Sequence, residues 1–212
     1  MIGYKPAANG RPVQITNDHA DCALLLLADA TGHGIGPALS AMQLRAMLRM
    51  AVRSPPQLDQ LIRQLNEQLF ADLPAERFIT AWFGELSAAD HTLTSFSAGQ
   101  GPLLHFLAAS VETRVVAADS YPLGINAHIG GGDPTCIPMS RGDVLAAISG
   151  GIFESIDATG KQFGIERAIE IITGHRRSGA SKLLLALRQA VSEFTQDSPA
   201  ADDRTIIVIN RV

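Results

Sequence analysis

The sequence predicts an α+β fold, an α-β-β-α sandwich in which two mainly antiparallel sheets pack together between flanking helices. The first observation behind this prediction is a central block of short strand-like runs, separated by turns, between residues 78 and 149. The second is that segments of helical periodicity come in pairs before and after this block, rather than alternating singly with strands. Because no repeat or low-complexity linker interrupts the chain, residues 1–212 are expected to form one domain.

The N-terminal part of the chain predicts a buried strand that leads into a tight turn. Residues 1–20 are polar and irregular, and no regular element is expected there. The continuous apolar run CALLLLA at residues 22–28 suits a strand that is buried on both faces. A glycine-rich turn follows at residues 29–36, and Pro37 then stands where a helix would begin.

Two helices are predicted after this turn. Apolar residues recur every fourth position up to the Ser54-Pro55-Pro56 segment, where a helix must end because proline lacks the backbone donor. Residues 57–70 predict a second, amphipathic helix. The apolar positions on which the two predictions rest are Leu44, Leu48 and Val52, then Leu58, Leu61, Ile62, Leu65 and Leu69.

The remaining elements are predicted from short strand-like runs separated by turn residues, and from two helical segments near the end of the chain. Residues 88–91 are expected to form a hairpin loop, and residues 130–134 a Gly/Pro-rich connection. The predicted strands cover residues 78–86, 92–97, 103–107, 111–116, 135–139, 144–149 and 205–209, and the last two helices cover residues 164–174 and 180–194.

Composition limits the classes of protein to which the chain can belong. Apolar residues make up 46% of its 212 residues and charged residues 18%, which favours a sizeable core over disorder. The net charge is −4 without a long basic run, so the electrostatics do not support nucleic-acid binding. The apolar run at residues 22–28 is too short to span a bilayer, and the start of the sequence does not lead us to expect secretion. Cys22 and Cys136 are expected to be reduced, buried thiols of a cytoplasmic protein.

The first candidate for chemistry is the turn Asp29-Ala-Thr-Gly-His-Gly-Ile-Gly-Pro. A carboxylate at the end of a buried strand, followed by the carbonyl of Ala30, offers two oxygen ligands to a hard cation. Two alternatives stay open: Asp29 only caps the turn and helix, or the amides of the turn bind a phosphate. The spacing of Gly32, Gly34 and Gly36 matches neither a P-loop nor a dinucleotide motif.

Two further candidates lie near the C-terminal half of the predicted sheets. Asp202 and Asp203 precede the last strand, where burying paired acids without a cation would be costly, although a solvated strand entry is the simpler explanation of the motif alone. Residues 149–151, Ser-Gly-Gly, end the strand 144–149 and by themselves indicate only a turn.

Six segments follow one another in a recognisable order: Asp29-Ala-Thr-Gly-His-Gly with Pro37-Ala-Leu, the run 78–86, the turn Ala98-Gly-Gln-Gly-Pro within 93–104, Pro122-Leu-Gly, Arg141-Gly-Asp-Val-Leu and Asp202-Asp-Arg-Thr. Their order resembles that of one enzyme family, the SpoIIE-like metal-dependent Ser/Thr phosphatases of the PPM type. The resemblance extends from about residue 9 to the end of the chain.

The resemblance implies a hydrolase in which water held between two Mn²⁺ or Mg²⁺ ions, about 3.5–4 Å apart, attacks phosphorus in line. Asp29 would bridge the two ions, the carbonyl of Ala30 would bind one of them, and Asp202 would complete the shell of the other. Asp203 would support or cap this arrangement from outside the ligand shell. The implied catalytic residues are Asp29 and Asp202, and the implied metal ligands are Asp29, Ala30 and Asp202.

Three positions depart from the family pattern. Arg11 and Gln14 stand where a segment upstream of the first motif carries acids, and Gly150 stands where a T-D-G turn carries a metal-binding Asp. Each missing carboxylate should weaken the binding of a hard cation, so we expect weak binding or a single ion. Glu154 or Asp157, a few residues beyond Gly150, is a hypothetical substitute.

The expected function is hydrolysis of phosphoserine or phosphothreonine on a regulatory protein, such as an anti-sigma-factor antagonist, in a bacterial stress or developmental switch. The alternative is a metal-deficient pseudophosphatase that acts as a protein-binding module. A phosphorylated regulatory protein is the expected partner, without nucleic acid or membrane, and a homodimer is possible through the helix at residues 37–52.

Some residues have simpler interpretations. His33 is interpreted as a packing or hydrogen-bonding residue of the turn rather than a catalyst, and Gln100 as a residue that orders its own loop. Arg141-Gly142-Asp143 is read as a hairpin turn. Met42, Met47 and Met50 are expected to fill the core.

Overall fold

The structure, a computed structural model, describes residues 13–16, 22–53, 57–196 and 202–212. Contacts between Cα atoms divide the described chain into two units. The first unit contains residues 13–100 and 118–138, and the second contains residues 101–117 and 139–212. Each unit is built on its own sheet, and the expectation of a single domain over residues 1–212 stays a prediction.

The first unit contains a five-stranded sheet in which all strand pairs are antiparallel. The apolar run that begins at Cys22 lies second in this sheet, and β3 lies at its centre with buried residues on both faces. The strands, in spatial order, are β1 (Val13–Thr16), β2 (Cys22–Ala30), β3 (Ile79–Ser87), β4 (Thr92–Ala98) and β7 (Thr135–Pro138).

Two helices, α1 (Ile35–Ala51) and α2 (Leu58–Asp72), cover one face of this sheet. The predicted stripe of α1 is confirmed, because Leu44 and Leu48 are buried in the same core as Phe83 and Phe96 of the sheet. Full burial of one such apolar side chain contributes about 1.5–3 kcal/mol, so packing on the sheet stabilises these helices more than their own propensity does.

The second unit contains a four-stranded antiparallel sheet with helices on one of its faces. Its core joins alternate residues of β5 and β8, such as Leu104 and Ala146, to the apolar faces of two helices, with Ile172 and Leu187 fully buried. The elements are β6 (Glu112–Val116), β5 (Leu103–Leu107), β8 (Val144–Ile148) and β9 (Ile206–Asn210) in spatial order, then α3 (Gly150–Phe153), α4 (Gly164–His175) and α5 (Ala180–Phe194).

The predicted fold class is confirmed, since the described chain consists of two antiparallel sheets with helices. Two short elements were not predicted. β1 lies within the segment expected to be irregular, and its four residues are ordered by pairing with β2 rather than by their own sequence. α3 is a single turn that begins with two glycines, a composition that does not predict a helix. Ser54-Pro55-Pro56 lies outside the described residues.

Two expectations about burial were wrong. Both thiols are exposed: Cys22 is the first residue of β2, and Cys136 lies on the edge strand β7, where Ile137 is the residue that points inward. Met42 and Met50 are exposed as well, because they lie on the face of α1 that points away from the core, and only Met47 packs against it.

Candidate metal centre

Asp29 lies at the end of β2, as the sequence predicts, and its side chain is exposed. It is paired with Thr80 of the neighbouring strand. The hydroxyl of Thr80 donates to Oε1 of Gln100 at 3.1 Å and lies 3.4 Å from the carbonyl oxygen of Asp29. Thr31, two residues further on, donates both its backbone N–H and its hydroxyl to the carbonyl of Phe78, at 3.0 and 2.7 Å. The backbone that carries the Asp29 carboxylate is therefore fixed to β3.

Two of the three glycines in the turn after Asp29 are favoured by the backbone conformation. Gly32 and Gly34 have φ angles of +92° and +93°, a region that side chains disfavour. A Cβ atom at Gly36 would lie 2.6 Å from Nη2 of Arg77, whose guanidinium lies against this turn. α1 begins without a side-chain cap or an acidic residue in its first turn, so the interpretation of Asp29 as a helix cap receives no support. His33 is exposed in this turn.

Gln100 orders its own loop, as expected. Its side chain is buried and accepts from Thr80, while its backbone carbonyl accepts from the hydroxyl of Ser97 at 2.9 Å. Asp119 adds a further link, because its carboxylate accepts the backbone N–H of Ser97 at 2.7 Å.

The second and third candidates come together in the second unit. Ser149 accepts the backbone N–H of Thr205 on its hydroxyl at 2.9 Å and donates that hydroxyl to the carbonyl of Asp203 at 3.0 Å. The backbone of Gly151 is packed so closely that a Cβ there would lie 2.4 Å from the carbonyl oxygen of Asp203. The turn at 149–151 and the acidic entry to β9 thus form one site, although they are about fifty residues apart in sequence.

Asp202 and Asp203 have exposed side chains. Within the described chain, the carboxylate of Asp202 accepts the backbone N–H of Asp203 at 2.7 Å. Because both side chains are exposed, no cation is needed to offset a cost of burying them. The geometry agrees with a solvated strand entry as well as with a role as metal ligands.

The donor chemistry of the predicted ligands fits the ions that the resemblance implies. Asp29, the carbonyl of Ala30 and Asp202 offer only oxygen atoms, the donors that Mg²⁺ and Mn²⁺ prefer. Among the described residues, no three His, Cys, Asp or Glu side chains are grouped closely enough to hold a metal. Asp29 belongs to the first unit and Asp202 to the second, so their shared role stays a prediction. Arg11 and the side chain of Gln14 lie outside the described part of the chain.

Asn66 is a buried polar residue that the sequence interpretation missed. It lies on the apolar face of α2, donates its amide to the carbonyls of Asn126 and Ala127 at 2.9 and 3.1 Å, and accepts the N–H of Gly124 at 3.0 Å. It therefore fixes the loop after the Pro122-Leu-Gly motif. An amide four residues from Ile62 on an apolar stripe was the signal available in the sequence.

The Arg141-Gly142-Asp143 segment forms a turn, but the predicted hairpin is wrong, because β7 before it and β8 after it belong to different sheets. Asp143 is buried and accepts the backbone N–H groups of Ala108 and Ser140, both at 2.8 Å. His105 Nε2 lies 3.5 Å from Oδ2 of the same carboxylate. Burial lowers the pKa of His105 below 6.5, because the opposing attraction of Asp143 is smaller and Arg114 lowers the pKa further.

This lowered pKa predicts a pH-dependent stability. Between the two pKa values the unfolded chain binds a proton at His105 and the folded chain does not. The contribution of His105 to the free energy of unfolding is therefore present above pH 6.5 and is lost as the pH falls towards the lower, folded value. We expect the free energy of unfolding, measured with urea, to fall more between about pH 7.5 and about pH 5.5 in the parent than in His105→Gln. Equal losses in both proteins would contradict the prediction.

The chain is similar to the members of one protein family. The family model described as Stage II sporulation protein E (SpoIIE) matches residues 19–212. The phosphoserine phosphatase RsbU of Bacillus subtilis (strain 168) is 25% identical over 195 residues, which are 88% of this chain and 55% of RsbU. The chain thus spans about half the length of this relative.

Solved structures with the same fold include phosphatase domains. The SiaA-PP2C domain of Pseudomonas aeruginosa superposes with a TM-score of 0.80 at 19% identity, over 94% of this chain and 80% of that one. RsbX, solved in complex with magnesium, superposes with a TM-score of 0.66 at 14% identity, over 93% of this chain and 84% of that one. The PPM-type fold implied by the motifs is therefore confirmed.

None of the described helices combines the length and the hydropathy that a membrane span requires.

Proposed function

Since this chain belongs to the SpoIIE family, we propose that it is a protein phosphatase domain that hydrolyses phosphoserine or phosphothreonine on a regulatory protein. The observation that carries the proposal is the family match over residues 19–212, which includes both Asp29 and Asp202. Its relative RsbU is a phosphoserine phosphatase, which supports the same substrate class here. We further propose that the regulator is a phosphorylated protein of the anti-sigma-factor antagonist type, in a bacterial stress or developmental switch.

We propose that Asp29, the carbonyl of Ala30 and Asp202 hold Mn²⁺ or Mg²⁺. When bound, such an ion activates a water molecule and neutralises charge on the phosphoryl group. Asp29 is suited to this role because its carboxylate is exposed while its backbone is held by the β2–β3 pairing. Asp202 is suited because its segment is anchored through Ser149, which leaves its side chain exposed to solvent.

A second candidate function follows from Gly150. Because this position has no side chain, the family's third carboxylate is missing there, and a domain that binds too little metal would act as a pseudophosphatase, a protein-binding module without turnover.

The two functions are separated by metal-dependent turnover. We expect the protein to release phosphate from a phosphoserine peptide with millimolar Mn²⁺ and to lose this activity when the metal is removed with EDTA. A phosphotyrosine peptide and a metal-free sample are the controls. Phosphate release that is undetectable at every Mn²⁺ concentration would overturn the phosphatase proposal and leave the binding module.

We propose that the domain forms a homodimer through α1. The support is an apolar stripe along the helix, Ile35, Leu39, Met42 and Met50, whose side chains are between 54% and 81% exposed. A mass of one chain in sedimentation equilibrium, at tens of micromolar protein, would contradict this proposal.

We propose a cytoplasmic location. Two exposed and unpaired thiols, Cys22 and Cys136, fit a reducing compartment. Recovery of the native protein from a periplasmic or extracellular fraction would contradict it.

A further inference from the structure

Glu154 lies one helical turn after Gly150, and its carboxylate fills the space in front of that glycine. The backbone N–H of Glu154 donates to the carbonyl of Gly150 at 2.9 Å, which closes the single turn of α3. A Cβ atom on Gly150 would lie 3.4 Å from Oε1 of Glu154, 3.6 Å from its Cδ and 3.9 Å from its Oε2. The carboxylate of Glu154 therefore lies within van der Waals reach of the place where a side chain at position 150 would begin.

The acidic segment that precedes β9 lies next to the same turn. A Cβ on Gly151 would be only 3.3 Å from the carbonyl carbon of Asp202, so the backbone of Asp202 passes beside the residue that follows Gly150. The backbone segments that carry Glu154 and Asp202 therefore lie near each other in the second unit, although the two residues are distant in sequence. Both residues belong to the second unit.

The carboxylate of Glu154 is available to bind an ion. It is exposed, and it forms no hydrogen bond or ion pair with any residue in the described part of the chain. Asp157 differs, because its Oδ1 already accepts the N–H and the hydroxyl of Thr159 at 2.8 and 2.6 Å and the N–H of Lys161 at 3.0 Å. Asp157 closes its own loop through Oδ1, so Glu154 is the better placed substitute.

We propose that Glu154 supplies the carboxylate oxygen that position 150 lacks, and that a Mn²⁺ or Mg²⁺ ion held by Asp202 is held by Glu154 as well. This inference rests on the proposed function, since the metal is the one that the phosphatase reaction requires. The longer side chain of Glu154, starting one turn later on the helix, replaces a shorter one starting at residue 150. Two carboxylates with bound waters are a sufficient donor set for such an ion.

Calorimetric titration with Mn²⁺ tests the proposal without relying on turnover. We expect Glu154→Gln, which keeps the size and removes the charge, to weaken Mn²⁺ binding by about tenfold or more. Asp157→Asn is the matched control and should bind as the parent does. Far-UV circular dichroism and thermal unfolding of each variant show that the fold is kept.

A rescue variant makes the test specific. Gly150 has no positive φ and an added Cβ would meet only the end of the flexible Glu154 side chain, so Gly150→Asp is sterically acceptable. The double variant Gly150→Asp with Glu154→Gln should regain most of the lost Mn²⁺ affinity. Unchanged affinity in Glu154→Gln, or a double variant that binds no better than Glu154→Gln, would overturn the proposal.

The outcome separates this inference from the proposed function. If the parent hydrolyses phosphoserine and binds Mn²⁺ with the same affinity as Glu154→Gln, only the role of Glu154 is wrong. If the parent neither binds Mn²⁺ nor releases phosphate, the proposed function fails and the role of Glu154 fails with it.

Discussion

Replacing Asp29 with alanine is expected to reduce Mn²⁺-dependent phosphate release by about a hundredfold or more, since loss of an outer-shell partner of a metal ligand already costs about 10–100-fold. The reason is that Asp29 is the proposed ligand whose charge would bridge the metal ions, and alanine offers no oxygen in its place. The measurement is kcat/KM with a phosphoserine peptide over a series of Mn²⁺ concentrations. Because Asp29 is exposed at a strand end, the substitution should leave the fold intact.

The control for this prediction is Asp133→Ala. Asp133 is an exposed aspartate of the same unit, and its contact with Arg63 spans 3.6 Å at the surface, so its removal should change neither activity nor metal affinity. If Asp29→Ala is as active as Asp133→Ala at every Mn²⁺ concentration, the proposed role of Asp29 is wrong.

Replacing Asn66 with alanine is expected to lower the free energy of unfolding by about 3 kcal/mol, since one buried hydrogen-bonding group left unsatisfied costs about 1–3 kcal/mol. The variant removes the partners of three backbone groups at once, the N–H of Gly124 and the carbonyls of Asn126 and Ala127. It also leaves a space within a core that contains Ile62 and Leu69. Urea unfolding followed by circular dichroism measures the shift in the midpoint.

Gln64→Ala is the matched control, because it removes an exposed amide from the same helix. A surface change of this kind should alter the free energy of unfolding by less than about 0.5 kcal/mol. Two variants with the same midpoint would show that the hydrogen bonds of Asn66 do not stabilise the fold.

The elements were predictable where a local pattern determines them. The helix Ala180–Phe194 and the strand Leu103–Leu107 have the predicted bounds, because helical periodicity marks the first and a strand-like run between turn residues marks the second. β1 could not be predicted in this way. Its four residues form a strand only because Gln14 and its neighbours pair with β2, and such pairing depends on residues elsewhere in the chain.

The candidate site was predictable as a set of residues but not as a geometry. Asp29 and Asp202 were identified from motif order, and their positions at a strand end and before a strand are as expected. The choice between Glu154 and Asp157 was left open by sequence, because both lie close to Gly150 along the chain. The closeness of the Glu154 carboxylate to Gly150 and the hydrogen bonds of Asp157 with Thr159 and Lys161 distinguish the two.

By itself, the amino-acid sequence determined the fold class, the family and the residues that are candidates for metal binding, because periodicity and motif order are properties of the chain read locally. The tertiary structure alone decided which face of α1 is exposed, which loop Asn66 holds, and that the Ser149–Gly151 turn lies against Asp203. Each of these depends on contacts between residues that are far apart in sequence, and such contacts arise only when packing and hydrogen bonding bring separate elements together.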